Sequence, residues 1–129
     1  MHDSAEDVVS VRYFADDMQA AIDFYTTHLG FAVQLSSVPA FAALTRGRLR
    51  LVLSGAGSSG ARAMPDGRVP QPGGWNRILL MTQDIDAEVE RLQAAGLKFR
   101  GEIVTGVGGS QIVLDDPCGN PVELFQPTL

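Results

Sequence analysis

Two stretches of this chain follow one pattern. The first runs from Ser10 through Asp17 to Gly30, the second from Arg77 through Asp84 to Gly96. Each reads as an extended apolar segment, an Asp, an amphipathic helix, a Gly and a further apolar segment. Asp84 follows Asp17 by 67 positions, about half of the 129 residues. A pattern repeated at that spacing marks a duplicated module, and a duplication constrains the fold before any single residue is weighed.

The local signals repeat with it. Residues 8–15 alternate loosely and are rich in Val, Tyr and Phe, which predicts a strand. Asp17 suits a helix N-cap, because its carboxylate can accept from the free N–H groups of the first turn. Met18, Ile22, Tyr25 and Leu29 then form one helical stripe, and Gly30 suits the left-handed residue that ends it. In the second copy Asp84 caps, Ile85, Val89 and Leu92 make the stripe, and Gly96 stops it. Short apolar runs follow: Phe31–Leu35, Ala40–Thr45 and Leu49–Leu53 in one half, Lys98–Val104, Gln111–Leu114 and Val122–Phe125 in the other. Arg46-Gly47 and Asp116-Pro-Cys-Gly-Asn120 supply turn chemistry. Each half therefore reads β-α-β-β-β. Module one covers 8–54, a linker 55–74, and module two 75–127. The linker holds six of the fourteen Gly and three of the seven Pro, the composition of a long loop, and a loop of that length in a small domain is often functional or mobile.

Composition sets the outer bounds. The length predicts one domain, and 45% hydrophobic with 19% charged residues supports one core. The net charge of −5 and the lack of any Lys/Arg block argue against a nucleic-acid surface. No run approaches a membrane span, and Met1–Asp7 is acidic rather than basic and apolar, so no signal peptide is expected. Cys118 stands alone and forms neither an intrachain disulfide nor a thiolate cage. A cytoplasmic protein without membrane or nucleic-acid partners is the expectation.

Three motifs carry a resemblance. Asp17-Met-x-x-Ala-Ile-x-Phe-Tyr-x-x-x-Leu-Gly30-Phe, Asp84-Ile-Asp-Ala-x-Val-x-x-Leu-x-x-x-Gly96 and Asp116-Pro-Cys-Gly-Asn-Pro-Val-Glu123-Leu together resemble the vicinal oxygen chelate superfamily. That group includes glyoxalases, extradiol dioxygenases, fosfomycin-resistance enzymes and bleomycin-resistance proteins. The resemblance covers all but the linker. It implies an α+β fold of two tandem βαβββ modules, a curved mixed sheet around a cleft. It also implies a homodimer, with modules paired within one chain or exchanged between two. It does not by itself assign a reaction.

In metal-using members of the superfamily, each module supplies a His seven residues before the helix-opening Asp and a Glu in its last strand. Here the His positions hold Ser10 and Arg77, and the Glu positions hold Val52 and Glu123. A Zn or Fe site needs about three imidazole or carboxylate ligands. Val52 has no donor, Ser10 is a poor one, and Arg77 is a permanent cation. His2 lies in a terminus expected to be disordered, and His28 suits the negative end of the first helix. The expectation is no metal and no cofactor.

Strand alternation then places Ser10, Arg12 and Phe14 on one face of the first strand, Arg77, Leu79 and Met81 on one face of the fifth, and Glu123 with Phe125 on one face of the last. The resemblance implies that these strand faces line the cleft and that Arg77 and Glu123 lie close together. The expected lining is then Ser10, Arg12, Val52, Arg77, Leu79, Met81, Glu123 and Phe125, an apolar surface with a few polar groups. Two readings stand for Arg77 and Glu123. Either the Arg holds an anionic or carbonyl-bearing ligand while Glu123 orients it, or the two satisfy each other and stiffen the sheet. Trp75 is either a stacking wall at the cleft mouth or packing at the start of the fifth strand. Cys118 reads as a turn residue, Asp116 as hairpin chemistry, and Asp86, Glu88 and Glu90 as a solvated helix face. Gly55-x-Gly57-x-x-Gly60 has dinucleotide spacing but no following helix.

Two classes of function follow. One is a metal-free protein that binds or sequesters a small organic molecule, with the linker as a lid. The other is a lyase, isomerase or dioxygenase of glyoxalase type, with or without a divalent metal; in the metal-free version Glu123 is the general base and Arg77 or Arg12 stabilises an enolate.

Overall fold

The parallel return of a strand to its own module's first strand organises each half of the molecule. The computed structural model describes residues 8–128. The acidic segment ahead of Val8, with His2, lies outside the described residues. The chain divides between Pro72 and Gly73 into two compact units.

In the first unit β1 (Val9–Phe14) leads into helix α1 (Met18–His28), followed by β2 (Ala32–Ser37), β3 (Phe41–Arg46) and β4 (Leu49–Ser54). The sheet order is β1-β4-β3-β2, with β1 and β4 parallel and the other neighbours antiparallel. In the second unit β5 (Ile78–Met81), α2 (Ile85–Ala94), β6 (Val104–Thr105), β7 (Gly109–Asp115) and β8 (Pro121–Pro127) repeat that plan in the order β5-β8-β7-β6. Two four-stranded mixed sheets with one helix each are the α+β duplication expected from the repeat.

The caps are also duplicates. Asp17 Oδ1 accepts from Ala20 N at 3.1 Å, and Asp84 Oδ1 accepts from Ala87 N at 3.1 Å. Both Asp residues have extended backbone ahead of the first helical turn, as an N-cap requires. Both helices end at a glycine with positive φ, Gly30 at 72° and Gly96 at 82°, a conformation that a side chain disfavours.

Each helix covers one face of its own sheet. In the first unit Met18, Ile22, Tyr25 and Leu29 are all buried, together with Tyr13, Ala42, Leu44, Leu51 and Leu53 from the strands. Strand register puts those five strand residues on a common face. Tyr25 packs edge-on against Phe24 and Phe31, with ring centroids 4.9 and 5.4 Å away. In the second unit Ile85, Val89 and Leu92 bury against Ile78, Leu80, Ile112, Leu114, Val122 and Leu124. Asp86 and Glu90 point to solvent, as a polar helix face should. Among the described residues no helix is long and apolar enough to cross a membrane.

One expected strand is much shorter than its apolar run. Of Lys98–Val104 only Val104 enters a strand, the two-residue β6 (Val104–Thr105), and Phe99 adds an isolated bridge to Leu114. Arg100 N still donates to Val113 O at 2.8 Å, but Gly101 follows, and a glycine without a side chain to pack weakens a strand at that point. The linker carries a single 3-10 turn, Ser59–Ala61, and no helix follows its glycines. The Asp116–Asn120 turn behaves as hairpin chemistry. Asp116 Oδ1 accepts from Cys118 N and Asn120 N at 2.8 and 2.9 Å, and Oδ2 accepts from Asn120 Nδ2 at 3.0 Å.

Candidate functional site

Because a helix occupies only one face of each sheet, the opposite face is where side chains meet solvent. In the second unit Leu79 and Met81 are 47% and 59% exposed there. Parallel register sets Leu79 beside Glu123 and Met81 beside Phe125, and antiparallel register sets Val113 beside Glu123 and Gln111 beside Phe125. These residues form a largely apolar surface with one buried carboxylate at its centre.

That carboxylate is engaged. Arg77 Nε donates to Glu123 Oε1 at 3.0 Å, and Arg77 Nη2 lies 2.9 Å from the same oxygen. The side chains are 24% and 8% exposed, so most of the pair is out of water, where charge attraction is screened least. Arg77 Nη1 also donates to Trp75 O at 3.2 Å. Glu123 Oε2 accepts no hydrogen bond among the described residues.

Trp75 is not packed into the start of β5. It is 69% exposed, and the Arg100 guanidinium lies over its ring at 4.7 Å from the centroid. Arg100 was not legible as a site residue. It is fixed by Asp115 Oδ1 at 2.6 Å, Gly74 O at 2.6 Å and Gly119 O at 3.0 Å. Those partners come from two stretches of chain, one ahead of β5 and one at the end of β7 and its turn, 15 to 26 residues from Arg100, so no local sequence signal announces them. Beside the indole lies a pocket of about 190 Å³ whose lining includes Arg100, Glu102, Val104, Gln111 and Val113.

The first unit places its candidate residues on the equivalent face, with different chemistry. Register pairs Ser10 with Arg50 and Arg12 with Val52. Leu79 occupies in the repeat the place of Arg12, so the pairing of Leu79 with Glu123 makes Val52 and Glu123 structural equivalents, as their alignment implied. Arg50 Nε donates to Ser10 Oγ at 3.0 Å; this partner too was missed, lying 40 residues away. Arg12 is exposed and makes no hydrogen bond or ion pair among the described residues. Its guanidinium rests against the linker: a Cβ on Gly60 would stand 2.6 Å from Arg12 Nη1 and 2.9 Å from Ser54 Oγ. A side chain at Gly60 would require the Arg12 guanidinium and the Ser54 hydroxyl to shift. Ser54 Oγ is buried without a hydrogen-bond partner. Ser54 also lines a pocket of about 420 Å³ with Phe14, Ala15, Val69, Pro70 and Pro72.

The residues at the four metal-ligand positions do not fit a divalent ion. Glu123 Oε1 is held by a guanidinium, Ser10 Oγ accepts from a second arginine, Val52 offers no donor, and Arg77 carries a fixed positive charge. Among the described residues no group of three or more His, Cys, Asp or Glu stands together.

A repeated βαβββ unit with a helix on one sheet face and ligand-position residues on the other defines the class of protein. The family model described as Glyoxalase/Bleomycin resistance protein/Dioxygenase superfamily matches residues 7–124, and the chain belongs to that superfamily. Among solved structures, TnmS3, an antibiotic binding protein from Streptomyces sp. CB03234, is 28% identical with a TM-score of 0.71, over 98% of this chain and 100% of that one. Lactoylglutathione lyase from Agrobacterium tumefaciens is 22% identical with a TM-score of 0.72, over 92% of each chain. The genomically encoded fosfomycin resistance protein FosX from Listeria monocytogenes is 16% identical with a TM-score of 0.71, over 95% and 93%. At their identities the last two speak for the fold alone. No curated protein matches the chain.

Proposed function

We propose that this chain binds a small organic molecule on its open sheet face and does so without a divalent metal, in the manner of a sequestration or resistance protein. The observation that carries this reading is the state of Glu123. The one carboxylate among the four ligand positions is neutralised in place by Arg77, so a cation at that point would meet a guanidinium. Around the pair, Leu79, Met81 and Phe125 give the apolar surface and few polar groups that small-molecule sites use. The likeness to an antibiotic binding protein over the full length of both chains supports the same reading.

The test is elemental analysis of protein equilibrated with Zn, Ni, Mn and Fe, alongside calorimetric titration of a broad panel of antibiotics and hydrophobic metabolites. The expected result is metal-free protein that binds at least one panel member, with affinity lost in Leu79→Glu. Stoichiometric, tightly held metal overturns the metal-free part, and an empty panel overturns the binding part.

One observation favours a second, enzymatic reading. Glu123 Oε2 accepts no hydrogen bond among the described residues, which leaves one oxygen for proton transfer while Arg77 holds the other. Glu123→Gln keeps the shape of the side chain and removes that basicity. Turnover lost with folding intact would support this reading, and turnover retained would reject it.

A further inference from the structure

The binding reading leaves open what kind of molecule is bound, and the region around Trp75 narrows it. We propose that Trp75 and the pocket beside it form a subsite for a flat aromatic ring that is neutral or cationic, with Arg100 as the residue that positions the indole. This proposal rests on the reading that the chain binds a small organic molecule.

The indole is preorganised. A single exposed aromatic side chain is ordinary on a protein surface, but this one is held. Arg100 covers one face of the indole at 4.7 Å. Its guanidinium is itself locked by Asp115, Gly74 O and Gly119 O at 2.6, 2.6 and 3.0 Å. The indole therefore loses little freedom when a ligand meets it, which lowers the entropic penalty of binding. With 69% of the residue exposed, the rest of the ring is open.

The pocket has room for one ring. The adjoining pocket measures about 190 Å³, and an apolar cavity of about 150 Å³ takes one benzene ring. Val104 and Val113 supply apolar wall, and Gln111 supplies an amide for one polar substituent.

Charge selects among such rings. Two charged side chains line the pocket, Arg100 and Glu102. Asp115 offsets the charge of Arg100. Glu102 makes no hydrogen bond or ion pair among the described residues, and the chain carries a net charge of −5. The uncompensated charge facing a bound ring is therefore negative, which favours cationic and neutral rings over carboxylates.

The chain has one tryptophan, so its indole N–H gives a single assignable NMR resonance. Benzamidine, benzamide and benzoate share one ring and differ in charge. Titrated into the full chain, they are expected to shift that resonance saturably, with affinity falling in that order. Trp75→Leu, an exposed position, should weaken benzamidine binding about tenfold, followed by line broadening of the ligand. Glu102→Gln should reduce the preference for benzamidine over benzamide about threefold. Arg100→Met should lower the heteronuclear NOE of the Trp75 indole and weaken binding. A merely structural arginine would leave that NOE unchanged, and if this variant fails to fold, the other two still decide.

Benzamidine binding as tightly to Trp75→Leu as to wild type would overturn the subsite while leaving small-molecule binding elsewhere intact. Benzoate binding as well as benzamidine would overturn the charge assignment. An indole resonance that moves with protein concentration and not with benzamidine would assign Trp75 to a contact between copies of the chain, and would also overturn it. Failure of the broader binding reading shows separately, as an empty antibiotic and metabolite panel.

Discussion

The two halves of this molecule share a backbone plan and differ in what they place on it. Their caps agree to the bond: Asp17 and Asp84 each accept from the third residue on at 3.1 Å. Their sheets have the same strand order. On the open faces the agreement ends. At one pair of equivalent positions the first half has Ser10, bonded to Arg50, and the second has Arg77, bonded to Glu123. At another the first half has Val52 and the second Glu123, and at a third the first half has Ser54 and the second Phe125. The helix side of each sheet is held by core packing, which tolerates few changes of volume. The open side mixes exposed residues such as Leu79 and Met81 with the buried Ser54 and Glu123, and there the halves differ in charge and size.

That comparison yields an ordered set of expectations. Arg77→Met strands the buried Glu123 carboxylate and should cost about 3 kcal/mol in chemical denaturation. Adding Glu123→Leu should return most of that loss, because an apolar pair replaces an apolar-lined ion pair. If the double variant is as unstable as the single one, the pair is not the unit described here. Ser54→Ala should move the other way. It deletes a buried hydroxyl with no partner, and a gain of about 1 kcal/mol is expected; a loss would mean that the hydroxyl is satisfied in solution. Asp17→Ala and Asp84→Ala should each cost about 1 kcal/mol and agree within a few tenths. Unequal costs measured by thermal or urea unfolding would break the symmetry of the caps. Ser10→Ala, at an exposed pair, should change stability by less than about 0.5 kcal/mol, the sharpest contrast with its equivalent Arg77.

Much of this was legible from the chain. The repeat announced both modules, and the helical stripes and both caps fell where the periodicity put them. Alternation along the last strand put Glu123 and Phe125 on one face, whereas the approach of Arg77 to Glu123 came from the family resemblance and not from the pattern of the strand. What was not legible depends on tertiary approach. Arg50 and Ser10 are 40 residues apart, and the three oxygens that fix Arg100 come from Gly74, Asp115 and Gly119. Propensity has no access to such partners. The run Lys98–Val104 had the composition of a strand, but Gly101 lets the chain leave β7. Gly60 read as loop composition, whereas its missing side chain makes room for Arg12 and Ser54.

The parallel return of β4 to β1, and of β8 to β5, has a consequence for how such a chain can be rearranged. Every strand pairing among the described residues lies within one half. A break in the backbone between Pro72 and Gly73 therefore severs no ladder, and exchanging the order of the halves along the chain preserves all of them. The sheet hydrogen bonds are indifferent to which module is made first.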